Sequence, residues 1–422
     1  METLSQIREI DKADALNHFR NQYLIPQAPD GSSCIYLTGN SLGLQPLGAR
    51  KYILEELEDW AKWGVEGHVH SRRPWVNYHR FFSDSLAKIV GAKSEEVVAM
   101  NGLTTNLHLL MVSFYRPKGL RRKIICEAKA FPSDLYAFKS QIRFHGGQES
   151  DLIALKPRNG EHLLRTEDIL QAIEEVGNEL ALCLLGGVNY YTGQWFDMPQ
   201  ITLAAKAHGA FVGWDLAHAA GNVPLELHKW QVDFAVWCSY KYLNSGPGGV
   251  SGVFIHEKHH GLNHIPRFEG WWGHNAENRF KMPDNFEPMP TAEAWQLSNA
   301  PILSMAAHRA ALDLFDEAGM PALREKSLKL TAYLESILNS VQERFKTGWE
   351  IISPKNPNER GCQLSLLTGA DGKNLFDYLT AKGVVADWRE PNVIRMAAVP
   401  MYNSFEDLFN LQNHLLHYYE QA

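Results

Sequence analysis

The sequence predicts an α/β protein with two lobes: a large one built on a mainly parallel sheet flanked by helices, and a smaller α+β one. Three observations carry this. Between Lys123 and His256, short apolar runs alternate with helical patterns, as expected of buried parallel strands joined by helices. After about Asn299 the pattern changes to long amphipathic helices. The chain has 422 residues, more than one hydrophobic core commonly organises.

Taken in order, Met1 to Arg20 reads as a charged amphipathic helix without the apolar stretch of a signal peptide. Leu54, Leu57, Trp60 and Trp63 read as core or interface packing. Lys123-Ile124-Ile125-Cys126 reads as a strand, and Ser133 to His145 as the helix after it. Leu180 to Val188 is a further apolar run, followed by a helix around Pro199 to His208. Phe211 to Trp214 reads as a strand ending at Asp215; Phe234 to Cys238 and Val253 to Ile255 are two more. Ligands of such a sheet sit at the carboxyl ends of its strands. Ile302 to Glu317 and Leu323 to Phe345 place Leu, Ile and Ala at helical spacing. The last helix, Ser404 to Tyr419, opens on a capping pair of Ser404 and Asp407. The expected division is 1–55 as an N-terminal segment packing with the small lobe, 56–298 as the large lobe and 299–422 as the small lobe. No internal repeat is evident.

Composition is that of an ordinary globular enzyme, with 45% hydrophobic and 21% charged residues. A net charge of -7 provides no electrostatic reason to expect nucleic acid as a partner. No apolar run approaches the ~20 residues that span a bilayer, so no membrane partner is expected. The five cysteines (Cys34, Cys126, Cys183, Cys238, Cys362) are scattered and form no Cys-x-x-Cys pair. That suits a reducing cytoplasm and argues against disulfides or a zinc site. His256, His259, His260 and His264 lack the Glu and the i, i+4 pairing of a His-Glu-x-x-His site, so no metal is expected there.

The most informative stretch is Trp237 to Gly249, which places Lys241 just beyond a buried strand and before a glycine-rich loop. A lysine so placed is partly desolvated, which lowers its pKa and favours a Schiff base with an aldehyde cofactor. Upstream, Asp215 ends an apolar strand and His218 follows three residues on. A carboxylate against a pyridine nitrogen keeps the ring protonated, and a protonated ring is an electron sink. His218 can touch the cofactor phosphate or hold Asp215. Phe131-Pro132-Ser133-Asp134 opens a helix, so its amides and the Ser133 hydroxyl form an anion site. Gly102-Leu103-Thr104-Thr105-Asn106 opens the preceding helix and offers a second set of donors, while Phe131 adds a flat apolar face. Taken singly, each of these is equally an ordinary cap or strand end.

Together the set resembles fold-type-I pyridoxal-phosphate (PLP) enzymes of the aminotransferase class V group, and within that group the kynureninase family. Further resemblances run through Tyr36 to Gly43, Gly67-His68 with Arg73-Pro74-Trp75, Gly187 to Gln194, Gly270 to His274, Ser298 to Leu303, and Ile394 to Phe405. They cover roughly Tyr36 to the C-terminal helix. The resemblance implies that Lys241 is the Schiff-base lysine, that Tyr240 is a phosphate ligand and proton donor, and that Asp215 pairs with the pyridinium. It implies a cofactor shell completed by Leu103, Thr104, Phe131, Pro132, Ser133, Asp134, His218, Trp271 and Asn299. Trp271 and Asn299 belong in that family to segments near a dimer interface, so a homodimer is expected. Arg395 would hold the substrate carboxylate, a task suited to a bidentate guanidinium, with His68, Ser298 and Asn299 facing the substrate ring. Gly186 departs from the hydroxyl residue expected in some relatives. The implied activity is hydrolytic Cβ–Cγ cleavage of L-kynurenine or 3-hydroxy-L-kynurenine in tryptophan catabolism or NAD biosynthesis. Competing readings are another class V enzyme (an aminotransferase or a cysteine desulfurase) and a PLP-fold scaffold without catalysis.

Overall fold

In the computed structural model, which describes residues 3–421, two sheets organise the chain. The N-terminal helix α1 (Leu4–Ala13) is capped by Thr3 and stops seven residues short of Arg20. Asp14 leaves helical geometry there, and its carboxylate accepts from the Leu16 amide, a local bond that competes with the helix. A 3₁₀ turn, Asn17–Gln22, continues the chain. Met1 and Glu2 of the expected helix lie outside the described residues. Helix α2 (Gly48–Trp63) follows.

The large sheet has seven strands: β1 (Val97–Ala99), β2 (Lys123–Glu127), β3 (Leu152–Leu155), β4 (Leu180–Gly186), β5 (Phe211–Asp215), β6 (Phe234–Trp237) and β7 (Gly252–Ile255). Their spatial order is β1-β7-β6-β5-β4-β2-β3, and only β7 runs against its neighbours. Strands β4 to β7 are buried nearly throughout. Alternate residues feed opposite faces: Cys183, Leu185, Val212 and Trp214 on one, Leu182, Leu184, Val236 and Val253 on the other. Helices α3 (Leu103–Phe114), α4 (Pro132–Phe144) and α5 (Met198–Ala207) pack on these faces. Successive strands step outward from β2 to β3, then return beside β2 at β4 and proceed the other way. The crevice of a doubly wound sheet opens at such a reversal, outside the carboxyl ends of the strands.

Helix α6 (Ile302–Ala318) packs along α2 and sends Met305, Leu312 and Phe315 into the large core. Helix α7 (Met320–Phe345) leads to a four-stranded sheet of β8 (Glu350–Ile351), β9 (Gln363–Leu367), β10 (Asp387–Arg389) and β11 (Val393–Ala397), ordered β8-β9-β11-β10. Helix α8 (Phe405–Gln421) closes this part. Ser404 and Asp407 exchange backbone-to-side-chain bonds of 3.1 Å at its start, as the capping pair requires. The N-terminal segment joins the same core: Ile7 packs with Leu334, Leu364 and Leu411, Ile35–Tyr36 pairs with Val384–Val385, and Asp11 accepts from the Phe405 and Glu406 amides.

Of the two packing alternatives for Leu54, Leu57, Trp60 and Trp63, the single chain does not show the core one for the first three, and Trp63 is half-buried. Leu54, Leu57 and Trp60 are exposed, Trp60 by 60%, while the same helix buries Glu56 and Asp59. Glu56 accepts from Arg73 Nε, Trp75 Nε1 and Tyr78 Oη at 2.8, 2.9 and 3.0 Å, so its burial is fully compensated. Core packing of Leu54, Leu57 and Trp60 is therefore excluded within one chain.

Candidate active site

Where β2, β4, β5 and β6 end, their carboxyl edges and the N-termini of α3 and α4 line a small cavity. It is lined by Leu103 and Thr104 from α3; Phe131, Ser133 and Asp134 from the start of α4; Asp215 and His218 after β5; and Tyr240 and Lys241 after β6. Nine of the sequence-predicted residues thus converge. Each sits where a strand hands over to a helix or turn, which is why short motifs far apart in sequence meet here.

The Lys241 amine donates to His218 Nε2 at 3.1 Å and lies 5.6 Å from the Phe131 ring centre. Burial, reinforced by the charges of Lys241 and Arg395, holds His218 well below the usual histidine range, so its imidazole is neutral. With Nε2 accepting, Nδ1 carries the proton and has no partner among the described residues. Asp215 is buried, and its Oδ1 accepts from the Ala217 amide at 2.7 Å. Asp134 is buried beside it with Oδ1 unpartnered; burial and then the Asp215 carboxylate raise it well above the carboxylate range. Burial also raises Tyr240, which keeps its phenol protonated.

These groups match what pyridoxal phosphate requires. A primary amine and an acidic pair face each other across the cavity, and unpartnered polar atoms of Asp134 and His218 wait within it. The amides opening α3 and α4, with Ser133, supply donors for a phosphate.

The remaining predicted residues lie elsewhere in the single chain. Pro132 begins α4 but does not line the cavity. Trp271 is 46% exposed, and Ser298 and Asn299 are exposed. His68 is half-buried, its Nδ1 2.9 Å from the Val65 carbonyl and its ring against Trp75. Arg395 is fully buried on β11. Its guanidinium donates to the Tyr190 carbonyl at 2.5 Å and to the Asp387 carboxylate, which faces it across the β10–β11 register. The anion that its burial demanded is thus supplied from within the chain.

Sequence reasoning missed Glu127, Val188, Ala217 and Cys238 as cavity residues, and gave no site role to Gly186 or Tyr190. For Glu127 a signal was available: a lone acid closes an apolar strand just before Phe131. The histidines set aside as a metal site are dispersed. His259 pairs with Asp233 and His260 with the Ile255 carbonyl, while His256 stacks on His228 beside Glu96, at the opposite end of β7 from the cavity.

The model of the kynureninase C-terminal domain matches residues 323–415. Curated kynureninases align over nearly the whole chain. That of Christiangramia forsetii is 57% identical, over 95% of both chains. That of Myxococcus xanthus is 55% identical, over 95% of this chain and 94% of the relative. The chain belongs to the kynureninase family. Among solved structures, the apo cysteine desulfurase of Thermococcus onnurineus superimposes with a TM-score of 0.75 at 17% identity, covering 100% of this chain and 99% of that one. A C-DES variant with glycine covalently linked to its PLP cofactor reaches 0.75 at 16% identity, covering 94% and 98%. Identities this low establish the class V fold and leave the activity to the kynureninase relationship. All five cysteines are buried, and burial pushes Cys362 up to about 12, so none is a mobile thiolate of the desulfurase kind.

Proposed function

We propose that the protein hydrolyses the Cβ–Cγ bond of L-kynurenine or 3-hydroxy-L-kynurenine, releasing anthranilate or 3-hydroxyanthranilate and L-alanine. The observation that carries this is family identity of 55–57% across nearly the full length of both partners. Pyridoxal 5'-phosphate is the cofactor; when bound it would supply an electron sink for carbanion chemistry at the substrate.

Lys241 would hold the cofactor through its amine, and the same amine, when free, is placed to take the Cα proton of the substrate. Neutral His218, accepting from the Lys241 amine, steers it toward that position. Asp215 accepts from the ring nitrogen and keeps it protonated. The hydroxyl of Ser133 and the amides of Leu103 and Thr104 hold the phosphate, with Tyr240 beside them. Arg395 takes the substrate α-carboxylate, exchanging or sharing it with Asp387. A water adds to the ring-side carbonyl; as the Cβ–Cγ bond breaks, Cγ keeps the added oxygen and Cβ takes a proton, for which Tyr240 is the donor. Phenol protonation is favoured by burial, which suits that role.

A homodimer completes the site. Trp271, Ser298, Asn299 and the His68 segment lie on the outside of one chain, with exposed Trp60, Val65 and Val69 close to His68 in sequence, and a second copy would bring the substrate-ring residues to the cavity. We further infer a functional division into 1–55, 56–298 and 299–422. Five free cysteines suit a reducing compartment, the cytoplasm.

The deciding assay is release of anthranilate from L-kynurenine by PLP-saturated protein, with 3-hydroxykynurenine in parallel. Product from either supports the reading, and the ratio of kcat/KM assigns the ring preference. No product from either, with cofactor bound, refutes it. Sedimentation of the protein as a monomer would refute the shared site.

A further inference from the structure

Glu127 closes β2 exactly at the reversal of the sheet, next to β4 and one strand removed from Asp215. It is 4% exposed and lines the cofactor cavity. Its only side-chain partner among the described residues is the Gly186 amide, which donates to the two carboxylate oxygens at 3.1 and 3.3 Å. Glycine at 186 eases this approach: a Cβ there would stand 3.1 Å from Glu127 Oε1, so the carboxylate would have to give by a few tenths of an ångström. Gly186 is in register with Asp215, and Glu127 and Asp215 line the same cavity. No cation pairs with it. The ionisable groups that act on it or on its neighbours are Asp215 on β5, Asp134 on α4, Cys126 on its own strand and Cys183 on β4, with Lys241 reaching Asp134.

A buried carboxylate with few donors and acidic neighbours is disfavoured in its ionised form, so it holds its proton to higher pH than a solvated one. Burial pushes Glu127 up to about 7, against the opposing pull of its own amide and the Gly186 amide, with the Asp215 charge adding a smaller push in the same direction.

We propose that Glu127 is a positioning residue for the cofactor ring, a proton-bearing carboxyl that meets the Gly186 amide and sets the charge felt by Asp215. While Glu127 is protonated, Asp215 meets the ring nitrogen without a second negative charge beside it. When Glu127 loses its proton, a second negative charge strengthens the hold of Asp215 on that nitrogen's proton. Gly186 is then no defect of the cofactor shell. It exchanges a hydroxyl contact for access by Glu127.

This rests on the cofactor assignment above, and its test separates the two. Infrared difference spectra of the cofactor-free protein should show the carbonyl band of a protonated carboxylic acid that vanishes with a midpoint near pH 7. The band should be missing in Glu127→Gln. Gly186→Ser places a hydroxyl donor on the ionised form and should lower the midpoint by about one pH unit. In the holoenzyme, the visible absorbance of the cofactor should inflect at the same pH, and the inflection should be lost in Glu127→Gln. An identical band in wild type and Glu127→Gln, or an inflection that survives the substitution, overturns the proposal. Neither readout needs kynurenine turnover, so a failure of the assigned reaction would leave this result standing.

Discussion

Glu293 joins two segments to which site residues belong, and its loss should be measurable as stability that depends on pH. It lies in the turn Ala292–Trp295, just before Ser298 and Asn299. Arg80 donates to it in a fork, at 2.8 and 3.0 Å, and His79 Nε2 stands 3.1 Å away, on the stretch that follows His68 and Trp75. Burial alone would raise this carboxyl, but the bonds from His79 and Arg80 outweigh it and hold it at about 2, against an ordinary 4.5. At about 1.4 kcal/mol per pH unit, the ionised form contributes about 3 kcal/mol to folding at neutral pH. The sign follows from the depression. The contribution is fully present above pH 4.5 and is lost as pH falls toward 2. Glu293→Gln keeps the shape and removes the charge. Urea denaturation of the cofactor-free protein should show a deficit of about 3 kcal/mol at pH 7, equivalent to about 3 °C in Tm for a chain of this length. The deficit should narrow once the pH drops below about 4.5. Equal stabilities at neutral pH, or a deficit that persists unchanged on acidification, would refute the reasoning.

Three further outcomes are expected. Lys241→Ala should remove the visible cofactor band and lower kcat for anthranilate release by at least about a thousandfold, the loss expected when a nucleophile and a general base disappear together; retained turnover would contradict its role. Asp387→Asn should leave Arg395 buried without a carboxylate, costing about 3–5 kcal/mol in the ligand-free protein. The thermal shift produced by L-alanine, whose carboxylate can take the vacated place, should grow, and an unchanged shift would separate Arg395 from substrate binding. Gly252→Ala should push a Cβ to within 2.2 Å of the buried Trp237 ring on the neighbouring strand, destabilising by about 1–3 kcal/mol or more by overpacking; a urea midpoint equal to wild type would show that the strands can move apart.

The strands carrying the site were legible because buried parallel strands are continuous apolar runs that end abruptly. Asp215, Lys241 and Ser133 stand at those ends, and the ends of parallel strands share one edge. Residue identity alone could not show that Arg395 would meet Asp387. That contact depends on the register of β10 against β11, which sequence reasoning left unassigned. Nor did it reveal Glu127 as a cavity residue, because an acid after an apolar strand is ordinarily a solvated end. The backbone amide of Gly186, 59 positions away, meets it there. Pairings of this kind are properties of the assembled sheet edge.

Helix α2 inverts the rule by which apolar residues are assigned to a core. Leu54, Leu57 and Trp60 repeat at helical spacing, yet they face outward while Glu56 and Asp59 face inward. The inversion is stable because the inward face finds donors in Arg72, Arg73, Trp75 and Tyr78. That polar network costs less than it would elsewhere, since every buried acceptor is met. What remains outside is an apolar stripe continued by Val65 and Val69, exposed by 77% and 61%. It runs into the segment that carries His68. An isolated monomer has no reason to turn this face to water when an acidic one was available. The proposed second copy of the chain would supply one, and the same face holds a residue that the single chain does not bring to its own cavity.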